Sequence, residues 1–136
     1  MSGFWRRLTL AFAAGCMGGL VNSLALWLFG RAGIPAELGV KLAPALTPQW
    51  LYPRLVWGGI WGFLFVLPIF RNNPTAQGLF FSLWPSIVQL FIVFPYQANK
   101  GLMGLDLGSL TPVFVLFFNA VWGLTAAFWL RMVGKN

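Results

Sequence analysis

The sequence predicts an all-α integral membrane protein with four transmembrane helices, arranged as two similar helical hairpins. Hydrophobic residues make up 59% of the chain and charged residues only 8%, whereas about a quarter of the residues of a soluble domain are charged. Three apolar runs without charged side chains reach the roughly 20 residues that cross a bilayer. They cover 8–30, 72–99 and 107–130. We therefore predict a single transmembrane domain over residues 1–136.

The second span is predicted over about 48–70, although its charge-free part, 55–70, is shorter. As a helix, that part would rise only roughly 24 Å, less than the roughly 30 Å of hydrocarbon. Thr47 is a good N-cap and Pro48 suits the first helical position, so the helix should begin there. The four predicted helices cover about 8–30, 48–70, 76–97 and 112–131.

A pattern that occurs twice favours the hairpin arrangement. Leu-Thr-Pro occurs at 46–48 and at 110–112, and each copy precedes an apolar run with Val-Trp-Gly, at 56–58 and 121–123. Because each hairpin crosses the membrane and returns, the two copies would run in the same sense, as a parallel internal repeat. Duplication and chance recurrence in an apolar chain both account for the pattern.

The basic residues predict topology rather than a nucleic-acid partner. They give a net charge of +7, but they stand singly or as one pair between apolar runs, as interfacial anchors do. With four helices, both termini share one side of the bilayer, and this side has the larger number of basic residues. We therefore expect both termini in the cytoplasm, at a bacterial inner (plasma) membrane. The two sets are Arg6, Arg7, Arg71, Arg131 and Lys135 against Arg31, Lys41, Arg54 and Lys100.

Three amide side chains, Asn22, Gln89 and Asn119, form the candidate polar core. Counted from the cytoplasmic helix ends at about 1.5 Å per residue, they lie roughly 21, 15 and 18 Å deep, so they share a layer. Each lies on the small-residue face of its helix, and Ser86 shares the face of Gln89. Two alternatives are open: amides that lock the bundle or a dimer by interhelical hydrogen bonds, or a polar constriction that passes a small solute.

Two further hypotheses concern charged residues. Arg54 falls inside the second predicted span, so it either has a function there or extends its guanidinium to the interface. Lys41 and Asp106 occupy matching places in the two copies of the repeat and have opposite charges. They either pair on the outer face, contributing about 0 to 1 kcal/mol, or are unrelated loop charges.

Faces of small residues predict where the helices pack. Glycines at helical spacing allow two helix backbones to approach closely in a membrane. Bulky aromatic residues on other faces leave surface for self-association, so we expect a homo-oligomer or a membrane-protein partner within the lipid bilayer. The candidate packing residues are Gly15, Gly18, Gly19, Gly58, Gly62 and Gly123.

The sequence contains no recognisable catalytic arrangement. It has no His, and its two carboxylates, Glu37 and Asp106, fall in predicted loops, so the Ser and Thr hydroxyls lack a base. One Cys and no His remove the common metal and haem ligand sets, and we expect no cofactor. We predict a non-enzymatic inner-membrane protein, an accessory or assembly subunit acting through helix association. The alternative is a small oligomeric channel or facilitator with the amide layer on its path.

Overall fold

The structure is a computed structural model that describes residues 2–134. Within this range the regular elements are helices, and there is no β-strand. Lys135, counted above among the basic residues, lies outside the described range. Five α-helices follow one another: α1 Ser2–Ala32, α2 Ile34–Glu37, α3 Pro48–Gly62, α4 Pro74–Val88 and α5 Thr111–Gly134.

Three helical segments of the described chain are long and apolar enough to cross a membrane: Gly3–Ala32, Pro74–Gln97 and Thr111–Val133. Their mean hydropathies are 1.6, 1.7 and 1.9. The all-helical class is confirmed, and these three helices support a membrane location.

The segment predicted as the second span is not one helix over 48–70. Its start is as predicted, because the side chain of Thr47 accepts a hydrogen bond from the Trp50 N–H at 3.2 Å. However, α3 ends at Gly62, and a 3₁₀ turn, Phe63–Val66, follows it. Leu67 is extended (φ −71°, ψ 138°), the conformation favoured by a residue that precedes proline. The Leu67-Pro68 step therefore ends the helical segment earlier than predicted.

The segment predicted as the third span contains a change of helix type. Asn73 caps α4 by accepting a hydrogen bond from the Ala76 N–H at 3.1 Å. The α-helix then becomes a π-helix over Gln89–Gln97. Pro95 lies inside this stretch and has no N–H to donate to an α-helical ladder. The predicted end at 97 agrees with the structure, but the residues from Gln89 onward are rotated relative to a regular α-helix.

The helices pack in the order α3, α1, α5, α4, and α3 and α4 scarcely contact each other. We call the end with the start of α1, the turn 67–73 and the end of α5 the terminal end. The end with the connections 33–47 and 98–110 is called the loop end. This arrangement leaves a gap between α3 and α4 in the middle of the bundle.

Glycines lie at the contacts between neighbouring helices. A Cβ atom on Gly15 would collide with the backbone of Gly58 and Gly62, so α1 and α3 touch backbone to backbone. A Cβ on Gly123 would likewise collide with the backbone of Gly78, where α5 crosses α4. The other two candidate packing glycines of α1 also lie at helix contacts: Gly18 lies against Trp122, and Gly19 lies against the backbone of Arg54.

One side chain of α5 joins that helix to both α1 and α3. Trp122 of α5 is only 4% exposed, and its Nε1–H donates to the carbonyl oxygens of Gly15, at 3.1 Å, and Gly58, at 3.3 Å. A glycine has no side chain to cover its carbonyl, so the indole can reach both oxygens. Trp122 therefore ties α5 to α1 and α3 together.

The repeated Leu-Thr-Pro pattern has different structures in its two copies. Thr47 caps α3, whereas Thr111 is fully buried and its hydroxyl has no hydrogen-bond partner among the described residues. The two copies thus begin their helices differently.

We expect Gly15→Ala to destabilise the protein relative to Gly3→Ala, by about 1 to 3 kcal/mol, the usual cost of overpacking. Both substitutions favour the helix by replacing glycine, but a Cβ at position 15 meets the α3 backbone and one at position 3 meets nothing within 4 Å. Loss of helical circular dichroism on heating in one detergent measures the difference. Equal melting of both variants would contradict the close α1–α3 contact.

Candidate functional site

The candidate site is built around Arg54, on the side of α3 that faces α1. Its Nε donates to the hydroxyl of Ser23 at 2.8 Å, and one of its terminal amino groups donates to Oδ1 of Asn22 at 2.5 Å. The guanidinium carbon lies 4.7 Å from the ring centre of Trp50, within the range of a cation–π interaction. These groups are all neutral, so they hold the guanidinium without neutralising its charge.

Asn22 connects this arginine to the third helix of the centre. It is 5% exposed, and its Nδ2 donates to the backbone carbonyl of Phe118 in α5 at 2.6 Å. A helical carbonyl can accept a second hydrogen bond because it has two lone pairs. Asn22 therefore links α1 to both α3 and α5.

The other two candidate amides form a separate cluster between α5 and α4. Asn119 Nδ2 donates to the hydroxyl of Ser86 at 2.9 Å and to Oε1 of Gln89 at 3.3 Å. The Ser86 hydroxyl donates in turn to the carbonyl of Ser82 at 2.8 Å. The three amides predicted to share a layer thus belong to two hydrogen-bonded clusters, which adjoin at positions 118 and 119 of α5.

Both clusters line one cavity of about 420 Å³ in the gap between α3 and α4. We call it the central cavity. Its apolar wall includes three tryptophans, Trp57, Trp61 and Trp122. This volume, and an apolar wall with a few polar groups, are typical of sites for small ligands. Its polar lining consists of Asn22, Arg54, Gln89, Gln97 and Asn119.

Packed aromatic rings close the central cavity towards the terminal end. Phe65, Phe81 and Trp122 are buried there, and the ring centres of Phe65 and Phe81 lie 5.0 Å apart. A second cavity lies at the terminal end and shares no lining residue with the central one. The polar lining therefore does not continue through the described chain from one end to the other.

The loops that carry Lys41 and Asp106 meet at the loop end through the backbone. The Lys41 N–H donates to the carbonyl of Leu107 at 2.9 Å. Their side chains form no ion pair in the part of the chain that the structure describes. Instead, the Asp106 carboxylate lies over Gly101, where an added Cβ would come within 2.9 Å of it.

Sequence reasoning did not find several groups of this site. Ser23 and the carbonyl of Phe118 complete the bonds of Arg54 and Asn22, and Gln97 lines the cavity because the π-helix extends to it. Trp50 could have been recognised from the sequence as a neighbour of Arg54, since it lies four residues before Arg54 and therefore on the same helix face. Ser23 had no comparable signal.

The fold and this site define a small helical protein with three described helices long and apolar enough to span a membrane, and with an interior cavity lined by an arginine and amides. Comparisons with protein-family models, with curated proteins and with solved structures return no match to this chain.

A double-mutant cycle should show strong coupling between Arg54 and Asn22. Arg54→Met alone leaves Oδ1 of Asn22 without its donor, so Asn22→Leu should cost less in that background than in the wild type. We expect a coupling energy of about 0.5 to 3 kcal/mol, the range for directly bonded residues. Unfolding free energies in mixed micelles measure it.

The matched control pairs Arg54→Met with Asn119→Leu. These two residues line the same cavity but share no hydrogen-bond partner, so their effects should add to within about 0.5 kcal/mol. Coupling of equal size in both cycles would contradict the division into two clusters.

Proposed function

We propose that this protein is a non-enzymatic accessory subunit of a membrane complex and binds an acidic side chain of a partner's transmembrane helix at Arg54. The proposal rests on one observation: among the described residues, the guanidinium of Arg54 contacts only neutral groups and lines an open cavity. Charged side chains within membranes are costly and are usually paired. Arg54 thus lacks the partner that such a residue normally has.

The guanidinium of Arg54 has N–H donors left over to bind the carboxylate of such a partner. Arginine carries five N–H donors, and the described contacts use Nε and one terminal amino group. The remaining donors are available to a carboxylate in the central cavity. Charge-assisted bonds of this kind are roughly twice as strong as neutral ones, so the partner would be held by geometry as well as charge.

A second copy of this chain does not supply such a carboxylate. The only acidic residues are Glu37 and Asp106, both exposed and both at the loop end. A homo-oligomer would therefore leave Arg54 unneutralised within the bilayer. We infer a partner of different sequence, while self-association through the aromatic faces can accompany it.

The finer topology that we propose has four spans. The 15 residues of α3 and the 4 residues of its 3₁₀ turn together rise roughly 30 Å, about the hydrocarbon thickness. The pairing of α1 with α3 and of α4 with α5 supports two hairpins, each closed by a glycine contact. The different roles of Thr47 and Thr111 argue that, if the hairpins arose by duplication, their starts have diverged.

We propose that the terminal end faces the cytoplasm of a bacterial inner membrane. Arg54 is held in the bundle interior, so it no longer counts among the loop-end charges. That end keeps Arg31, Lys41 and Lys100. The terminal end has Arg6, Arg7, Arg71 and Arg131, which supports the orientation by the positive-inside rule.

A small oligomeric channel or facilitator is the second candidate. The volume and amide lining of the central cavity favour it, because they suit a small solute. The aromatic closure at Phe65, Phe81 and Trp122 opposes a path through one chain, so several copies would have to form the remainder of the path.

The wild-type protein should bind a model transmembrane helix that carries one mid-membrane Glu. The probe is a fluorescent Leu/Ala helix with Glu at its centre, compared in liposomes with the same helix carrying Gln or Leu. Energy transfer to the labelled protein measures the association constant of each helix. We expect this constant to be about tenfold larger for Glu, because a tenfold change corresponds to about 1.4 kcal/mol and a charge-assisted pair contributes at least that much. Arg54→Gln should abolish that preference.

Lys100→Gln is the matched control, because it removes one charge outside the cavity. Equal binding of all three helices, or a Glu preference that survives Arg54→Gln, would refute the proposed docking at Arg54.

The same liposomes should be tested for chloride and small-solute flux. Flux that is lost in a folded Asn22→Leu, Gln89→Leu, Asn119→Leu variant would favour the channel instead.

The orientation predicts opposite labelling of two single cysteines in a Cys16→Ser background. Asn72→Cys, at the terminal end, should react with a membrane-impermeant maleimide only after cells are opened, and Leu102→Cys, at the loop end, should react in intact cells. Asn72 is chosen because its neighbour Asn73 caps α4. The reverse pattern would overturn the orientation.

A further inference from the structure

The second cavity, at the terminal end, has a volume of about 470 Å³ and an unusual charge. Four arginines line it, from the start of α1, from the turn before α4 and from the end of α5: Arg6, Arg7, Arg71 and Arg131. No acidic residue is among its described lining residues. We call it the arginine cavity.

The fold brings these four side chains together. Arg7 extends over the 3₁₀ turn, where one of its terminal amino groups donates to the carbonyl of Val66 at 3.5 Å. Arg71 lies in the turn before α4, which is fixed by buried Gln77: its Nε2 donates to the carbonyl of Ile69 at 3.2 Å. One contact distant in the sequence, Arg7 to Val66, and one local turn contact thus position two of the four arginines.

Most of the remaining lining residues are apolar. Leu10, Phe65 and Leu130 contribute to it alongside the polar groups of Asn72 and Gln77. A cationic rim above an apolar wall suits a molecule with an anionic head and a hydrocarbon body. At a membrane surface this is the chemistry of an anionic lipid.

Four like charges around one cavity repel one another, and the acidic side chains of this chain lie elsewhere. Glu37 and Asp106 are both at the loop end. Arginine binds phosphate through two parallel hydrogen bonds, which a planar guanidinium provides and an ammonium does not. The four arginines are exposed, and no acidic side chain is among the described lining residues, so the cavity offers its guanidinium donors to a phosphate-bearing ligand.

We propose that the arginine cavity binds the phosphate group of an anionic molecule. Two sources share this chemistry: the headgroup of an anionic phospholipid, and a free phosphate-bearing solute. The apolar wall favours the lipid. The proposal does not depend on the function proposed for Arg54, because the two cavities have no lining residue in common.

The test is native mass spectrometry of the full-length protein with added phosphatidylglycerol or phosphatidylcholine. We expect the wild type to bind phosphatidylglycerol preferentially, and an Arg71→Gln, Arg131→Gln variant to bind it about tenfold more weakly, because two charge-assisted contacts are lost. An Arg31→Gln, Lys41→Gln variant loses the same charge at the loop end and should bind like the wild type. Thermal unfolding checks that each variant is folded.

A second pair, Arg6→Gln and Arg7→Gln, keeps the test decisive if the first variant does not fold. A further arm adds inorganic phosphate or glycerol 3-phosphate at millimolar concentration. Phosphatidylglycerol binding that persists assigns the lipid source, and displacement by the soluble phosphate assigns the free solute. Equal binding of both lipids together with no soluble phosphate binding, or equal weakening in the loop-end control, would overturn the proposal.

Discussion

The structure depends on the close contact of α1 with α3 and α5 around Trp122. In a bilayer, the lipid tails are as apolar as the side chains, so helices associate through close packing and polar bonds rather than through hydrophobic burial. Glycines 15 and 58 provide both, because they bring the backbones together and expose the carbonyls that the indole N–H reaches. Gly19 continues the same contact against the backbone of Arg54. The packing of α1 on α3 therefore also sets the guanidinium opposite Asn22 and Ser23.

In the four-span topology proposed above, the bonds of Arg54 offset the cost of placing an arginine within the bilayer. Insertion scales put a central arginine at about 2.5 to 3.5 kcal/mol, whereas an interhelical hydrogen bond contributes about 0.6 to 2 kcal/mol and a cation–π contact about 0.5 to 2 kcal/mol. The two hydrogen bonds to Ser23 and Asn22, with the Trp50 ring, are of the required size. They use Nε and one terminal amino group but leave the positive charge and the other donors, which are the groups that the proposed partner would bind.

The sequence predicted the features that depend on local signals. Thr47 and Pro48 mark the start of α3 because capping involves neighbouring residues only. The end of that helix was predicted too late, although the conformation that proline imposes on Leu67 was readable from Pro68. The prediction that Asn22, Gln89 and Asn119 share a layer used only their depth along each helix.

What the sequence did not reveal is the rotation of each helix about its axis. Rotation depends on tertiary packing, which has no local signature, and on the π-helix that begins at Gln89, which Pro95 marks only as an irregularity of the helix. For this reason Asn22 and Asn119 were expected in one polar layer with Gln89, whereas one bonds to Arg54 and the other to Ser86 and Gln89. Arg54 itself was counted with the outer charges, because its inward bond to Ser23 joins segments distant in the chain.

The distribution of the basic residues argues that their charge has a purpose beyond topology. The positive-inside rule depends only on the number of basic residues on each side of the membrane. It does not require that their side chains line one cavity. Here five of the nine basic residues line a cavity, and neither cavity has an acidic residue in its described lining. Four of these five arginines are exposed, so solvent and salt screen their repulsion, and their donors can reach a ligand. This distribution is the common ground of the two proposals above, a carboxylate at Arg54 and a phosphate at the arginine cavity, because both sites place arginine donors beside an apolar wall.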